Sequence, residues 1–184
     1  IHFNIPEGKN WKVATQLKPG TDLFSFTAPG LQYFMDSPTE LSDFTMRTWN
    51  VTNTNGKTAI FRIALHHAGT EADADSLMAR TKKLVIEEMA VYGELADYDY
   101  GMYTFIMDLM PGNDGDGMEH RNSTCITLPF GIKGFEASVT EIMAHEFFHS
   151  WNVERMRPRT LEPFDFTRAN MSGELWFAEG FTQY

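Results

Sequence analysis

The chain has 184 residues, 42% hydrophobic and 22% charged, enough for one substantial domain or two small ones. That balance is ordinary for a globular protein and excludes a disordered tail or a collagen-like fibre. Fifteen basic against 25 acidic residues leave a net charge of −10, which argues against nonspecific binding to nucleic acid or anionic membrane, since both need a basic face. The first third reads as β structure. Residues 1–5 alternate apolar and polar, and the runs 11–14 and 23–26 are bounded by Pro-Gly turns at 19–20 and 29–30. The run 58–65 follows Asn53-Thr-Asn-Gly56, a hairpin-turn signal.

Composition shifts near Thr70. Thr70 and Asp73 have capping-box spacing, with Asp in the place of the usual Glu. Leu77, Met78, Leu84, Val85, Met89 and Tyr92 recur at helical spacing, and Gly93 is a natural stop. A helix is predicted over 71–92, its Met and Leu stripe facing a core. Residues 102–110 read as a strand, 111–117 as a loop and 124–128 as another short strand. Asp114 and Asp116 alternate in the loop, but without the twelve-residue calcium pattern a solvated loop is favoured. Cys125 is the single cysteine and cannot form an internal disulfide. No run approaches the about eighteen apolar residues of a membrane span.

The chemistry concentrates after Ser138. Ser138 and Glu141 have capping-box spacing and launch a helix from Ile142. In it, His145, Glu146 and His149 form His-Glu-x-x-His. Positions i and i+4 share one helix face, so both imidazoles can reach one metal ion. Glu146 lies about 100° around the helix, where its carboxylate can act as general base on a water rather than as a ligand. Two neutral imidazoles suit zinc. A core histidine pair is the bland alternative, weakened by the cost of burying a glutamate between them.

A third ligand is available downstream. Ser172 can cap a helix over 173–184 whose Leu175, Trp176, Ala178 and Phe181 make it largely apolar. Glu179 then sits on a buried surface, and ligation to a cation would resolve the cost of that burial. Two histidines and one carboxylate leave a fourth tetrahedral position for water, the catalytic zinc arrangement. Glu174 competes for the role, but in the first turn it reads as structural.

The segment from His145 to Pro158, then Leu161 to Asp165, then Leu175 to Tyr184 resembles the glycyl aminopeptidase family of zinc metallopeptidases, which are gluzincins. Gly117, Met118, Glu119 and His120 are similar to the family's Gly-x-Glu-His element, and Asp36 to Glu40 to a segment just before its catalytic domain. The resemblance implies one Zn2+ held by His145, His149 and Glu179, with Glu146 as general base. It also implies that Glu119, within the element Gly117, Met118, Glu119 and His120, binds the free α-ammonium of a peptide substrate. A carboxylate suits that fixed positive charge.

The implied fold is α+β. A β-rich segment, 1–68, ends an N-terminal β domain. It precedes the upper, metal-binding half of a thermolysin-like catalytic domain, 69–184, cut at its C-terminus. The implied activity is zinc aminopeptidase action on peptides with a free N-terminus, with a preference for Gly or Ala. The alternatives are an endopeptidase on the same site and a catalytically silent, zinc-stabilised peptide-binding module.

The gap from His149 to Glu179 is longer than in aminopeptidase N relatives. Arg155, Arg157, Arg159 and Arg168 fall within it, and pairing with Glu154, Glu162 and Asp165 is favoured over contact with a peptide carboxylate. The family's transition-state tyrosine is expected beyond residue 184, as is a C-terminal PDZ-like domain in the full-length protein. Both chain ends read as cut. The compartment, bacterial cytoplasm or periplasm, is left open.

Overall fold

The computed structural model describes residues 1–183. Its centre is a five-stranded mixed sheet in the order β5-β6-β7-β9-β8. The strands are β5 (Thr45–Thr52), β6 (Thr58–His67), β7 (Met102–Leu109), β8 (Asp116–His120) and β9 (Ser123–Leu128). β5 and β6 form an antiparallel hairpin through Asn53–Gly56, where Gly56 takes a φ of 82° that favours glycine. β6, β7 and β9 run parallel, and β8 returns antiparallel as the free edge. The sheet is thus continuous across residues 68 and 69.

One face of the sheet is covered by helices. α2 (Glu71–Tyr92) supplies the crossover from β6 to β7, and α3 (Glu136–Phe148) follows β9. Their apolar stripes meet Phe61, Ile63 and Leu65 of β6, Tyr103, Phe105 and Met107 of β7, and Ile126 of β9, all at most 1% exposed. The α2 bounds match the sequence expectation. Thr70 accepts from the Asp73 N–H, the Asp73 carboxylate accepts from the Thr70 N–H, and Gly93 ends the helix at a φ of 80°.

The opposite face carries a smaller layer. β1 (Lys12–Thr15) and β4 (Thr39–Ser42) form an antiparallel ribbon, with β2 (Lys18–Pro19), β3 (Phe26–Thr27) and the short α1 (Leu31–Met35) alongside. Ala14 and Phe44 of this layer pack on Ala64 of β6. Buried Gln16 stitches it to the sheet. Its amide donates to the Asp36 carbonyl at 2.6 Å, and its side-chain oxygen accepts from the Asn122 N–H at 2.8 Å and the Ser123 hydroxyl at 3.0 Å.

Several expectations are corrected. Residues 1–5 form no strand, only a bridge between His2 and Ser25. The stretch 111–117 is not all loop, because β8 begins at Asp116. The strand expected over 124–128 is present as β9, internal to the sheet between β7 and β8. α3 begins at Glu136, not Ile142. The N–H of Val139 already bonds the Phe135 carbonyl, so Ser138 lies inside the first turn and caps nothing.

The last helix, α4, runs Leu175–Gln183. Ser172 does not cap it directly; its hydroxyl accepts from the Glu174 N–H and donates to the Glu174 carboxylate. Tyr184, the expected end of this helix, lies outside the described residues. Ala178 and Thr182 are buried, whereas Leu175, Trp176 and Phe181 face outward. The surface around Glu179 is therefore half open rather than buried.

A candidate metal centre beside the sheet edge

α3, which bears His145 and His149, packs against β8 and β9 at the β8 edge of the sheet. His149 is 1% exposed. Its Nδ1 donates to the Asn152 carbonyl at 2.7 Å, which leaves Nε2 as a bare acceptor. That Nε2 is 3.2 Å from His145 Nε2 and 3.6 Å from Glu179 Oε2, and His145 Nε2 is 3.2 Å from the same carboxylate oxygen. Two ring nitrogens and one carboxylate oxygen thus converge on a point. Tetrahedral zinc with bonds of about 2.0–2.1 Å sets its ligands about 3.3 Å apart, so this donor set fits the ion. His145 Nδ1 is buried with no hydrogen-bond partner among the described residues.

α4 delivers Glu179 through Asn152. The buried Asn152 amide nitrogen lies 3.3–3.4 Å from the carbonyls of Phe177 and Ala178 and the Thr182 hydroxyl. The same residue therefore orients His149 with its backbone and holds the Glu179 helix with its side chain. Sequence reasoning missed this role. The only signal was a polar residue three positions after His149, in the turn that ends the helix.

Glu146 points from α3 onto β8. A Cβ at Gly117 would meet its carboxylate, so glycine is what lets the strand pass beneath it. Glu146 Oε2 is buried with no hydrogen-bond partner among the described residues. Burial first, then the negative charges of Glu119, Glu179 and Asp116, push this carboxyl up to about 8. Glu119 completes the group. Acceptor atoms of Glu119, Glu146 and His149 all lie within 4.8 Å of one another.

Met118 alternates to the other face of β8 and is half exposed. His120 lines the hollow beside Glu119, and its Nδ1 is 2.9 Å from Asp36 Oδ1, while Asp36 Oδ2 lies 3.4 Å from the Arg121 backbone nitrogen. This pair ties the strand end that bears Glu119 to the ribbon layer. Asp36 was legible only as part of the resembling segment.

Hollows flank the cluster on both sides. One of about 780 Å3 is lined by Asp36, Met118, Glu119, Arg157, Phe164 and Phe166. Another of about 500 Å3 is lined by Asp116, Gly117, Phe130, His145 and Glu146. The arginines mostly serve structure. Arg157 lies 3.6 Å from Glu154 and 3.5 Å from Glu162, and Arg168 pairs with Asp165 at 2.8 Å. Arg155 instead donates to the carbonyls of Asp97, Arg121 and Ser150, fixing the turn after α3.

The chain is similar to a solved aminopeptidase N family protein from Idiomarina loihiensis, at 24% identity and a TM-score of 0.77. The likeness covers 97% of this chain, which spans 31% of that one. Aminopeptidase A of Legionella pneumophila, solved with aspartic acid, aligns at 14% identity and a TM-score of 0.45 over 63% of this chain and 16% of its own. No match is found among curated proteins. The first likeness shows the α+β fold. The stretch 138–184, which holds His145, Glu146, His149 and Glu179, matches the model of the M61 glycyl aminopeptidase family, the same family that the sequence resembles.

Proposed function

We propose that the chain carries the metal and substrate-amine site of an aminopeptidase-type zinc peptidase. The observation that carries this reading is the position of Glu119. Within one residue the α-nitrogen and the carbonyl carbon are only about 2.5 Å apart, given N–Cα and Cα–C bonds of about 1.5 Å. A carboxylate whose acceptor atom lies within 4.8 Å of those of both Glu146 and His149 is close enough to hold a free ammonium while the next peptide bond lies at the metal ligands. An ammonium held at Glu119 would favour exopeptidase over endopeptidase action.

The roles of the chain's own groups follow. A zinc ion held by His145, His149 and Glu179 would supply Lewis acidity toward the scissile carbonyl and acidify a water. Glu146 takes a proton at its carboxylate oxygen and returns it to the leaving amine. The free edge of β8, rather than the internal strand 123–128, is positioned to align the peptide backbone by strand addition. An antiparallel peptide on β8 runs its N-terminus toward Glu119 and its C-terminus toward Asp116, in keeping with an amine anchor at Glu119. A Gly or Ala preference is implied by the family resemblance alone, as is the PDZ-like domain of the full-length protein.

The test compares peptides with free and N-acetylated ends in the zinc-loaded full-length protein. Glu119→Gln should cut kcat/KM about 10- to 150-fold on free peptides and cause no such loss on blocked peptides, since a charge-assisted contact is worth about 1.5–3 kcal/mol. Equal losses on both would refute the amine-anchor role. Zinc binding without hydrolysis of either, in a protein with Glu146 intact, would favour the silent module.

A further inference from the structure

We propose that Glu40, His66 and Asp108 form a second divalent-cation site, on the sheet face opposite α2 and α3, that pins β4 to the large sheet. His66 and Asp108 are register partners on the parallel strands β6 and β7. Their neighbours in sequence, Leu65 and Leu109, are buried in the helix-side core, so His66 and Asp108 emerge on the ribbon side. Glu40 comes from β4, which pairs with β1 in a two-stranded ribbon separate from the large sheet. Three donors from two layers therefore meet, and their ligating atoms lie within 4.8 Å of one another.

The imidazole is arranged as a ligand would be. Its Nδ1 is 3.0 Å from Asp108 Oδ1 and 4.0 Å from Glu40 Oε1. On the far side of the ring, Nε2 is 3.8 Å from Asp43 Oδ1. A histidine that binds metal through one nitrogen almost always turns the other toward a carboxylate, a backbone carbonyl or water, and the Asp43 carboxylate, 3.8 Å away, stands on that side of the ring. Among the described residues, the ion pairs of Glu40, Asp43 and Asp108 involve His66 alone, with no Lys or Arg. One imidazole cannot offset three carboxylates, whereas a divalent cation between Nδ1 and two of them can. Nearby, burial and then the carboxylates of Glu40, Asp116 and Asp108 push the Cys125 thiol up to about 11, which registers the same negative field.

One nitrogen and two carboxylate oxygens suit a borderline cation such as zinc or manganese, with zinc the tighter of the two. Glu40, His66 and Asp108 are 18–30% exposed at their side chains, so water can enter and fill the remaining positions. The link would be structural. It would join the sheet to the strand that follows directly from Asp36, the partner of His120.

The test counts metal. The chain is stripped with chelator, dialysed against Zn2+ alone and measured by mass spectrometry for bound equivalents, with circular dichroism to confirm folding. Wild type should hold two equivalents. His66→Ala and the milder Glu40→Gln should each hold one, and so should His149→Ala, while His66→Ala with His149→Ala holds none. Asp43→Asn should keep the stoichiometry but weaken one site about 10- to 100-fold. A single equivalent lost in His149→Ala and untouched by His66→Ala and Glu40→Gln would overturn the proposal. A single equivalent with the reverse pattern would support it and count instead against the His145 centre.

Discussion

Glu88 gives a direct test of how the core is packed. It lies on α2, 8% exposed, with Oε2 unpartnered. Burial pushes its carboxyl from the ordinary 4.5 up to about 9. The unfolded chain releases this proton near 4.5, while the folded chain keeps it until about pH 9. Between those values the unfolded state binds fewer protons, so stability falls as pH rises; the contribution is complete only below 4.5. At about 1.36 kcal/mol per unit, moving from pH 6 to pH 8 removes about 2.7 kcal/mol.

Glu88→Gln keeps the shape and abolishes the titration. A chain of this size shifts its Tm by about 2–4 °C per kcal/mol. Wild type should therefore lose about 5–11 °C more than Glu88→Gln between pH 6 and pH 8, in metal-free thermal melts followed by circular dichroism. Glu146 also titrates high, but it does so in both proteins and cancels from the comparison. Parallel Tm-versus-pH curves for the two proteins would mean that Glu88 is not held protonated in the folded chain.

Gly117→Ala places a methyl against the Glu146 carboxylate, so hydrolysis by the zinc-loaded protein should fall about 100-fold while calorimetry records unchanged zinc affinity. Asn152→Ala removes the tether between the turn after α3 and α4; zinc affinity measured by competition with a chromophoric chelator should drop about 10- to 100-fold, with the backbone carbonyl that orients His149 still in place.

The local signals were legible wherever one segment carries its own instructions. The 71–92 helix follows from Thr70, its periodic Leu and Met residues, and Gly93, and the structure places both ends there. His145, Glu146 and His149 were legible because helical spacing alone sets their mutual geometry. The pairing of β6 with β7 was not, because parallel strands separated by a 22-residue helix leave no local trace of their register. The composition shift near Thr70 marks the start of that crossover helix, and the sheet passes through it. The role of β8 was hidden because glycine and charged residues dominate it; Gly117 is chosen for Glu146, not for strand propensity. Glu40, His66 and Asp108 lie 26 and 42 positions apart, so no spacing argument could join them.

Three carboxylates crowd one corner of this acidic chain. Glu119, Glu146 and Glu179 approach one another closely enough that each of the other two raises the Glu146 carboxyl. Among the described residues, none of the three pairs with a Lys or Arg, and Glu179 meets the two histidines. Like charges at this spacing cost several kcal/mol when half-buried, unless opposite charge is supplied. The proposed reaction supplies two such charges in succession. A metal among His145, His149 and Glu179 offsets the first, and the ammonium of an incoming peptide offsets the second at Glu119. Glu146 stands between them, where neither cation binds it directly. On this reading the binding of metal and of substrate amine both lower the affinity of Glu146 for its proton, from a carboxyl protonated at neutral pH toward a base able to take one from water. The three groups therefore act as a unit. Removing Glu119 should alter the proton affinity of Glu146 as well as the hold on substrate, so the pH–rate profile of Glu119→Gln should move its acidic limb downward; an unmoved limb would mean the two carboxylates work independently.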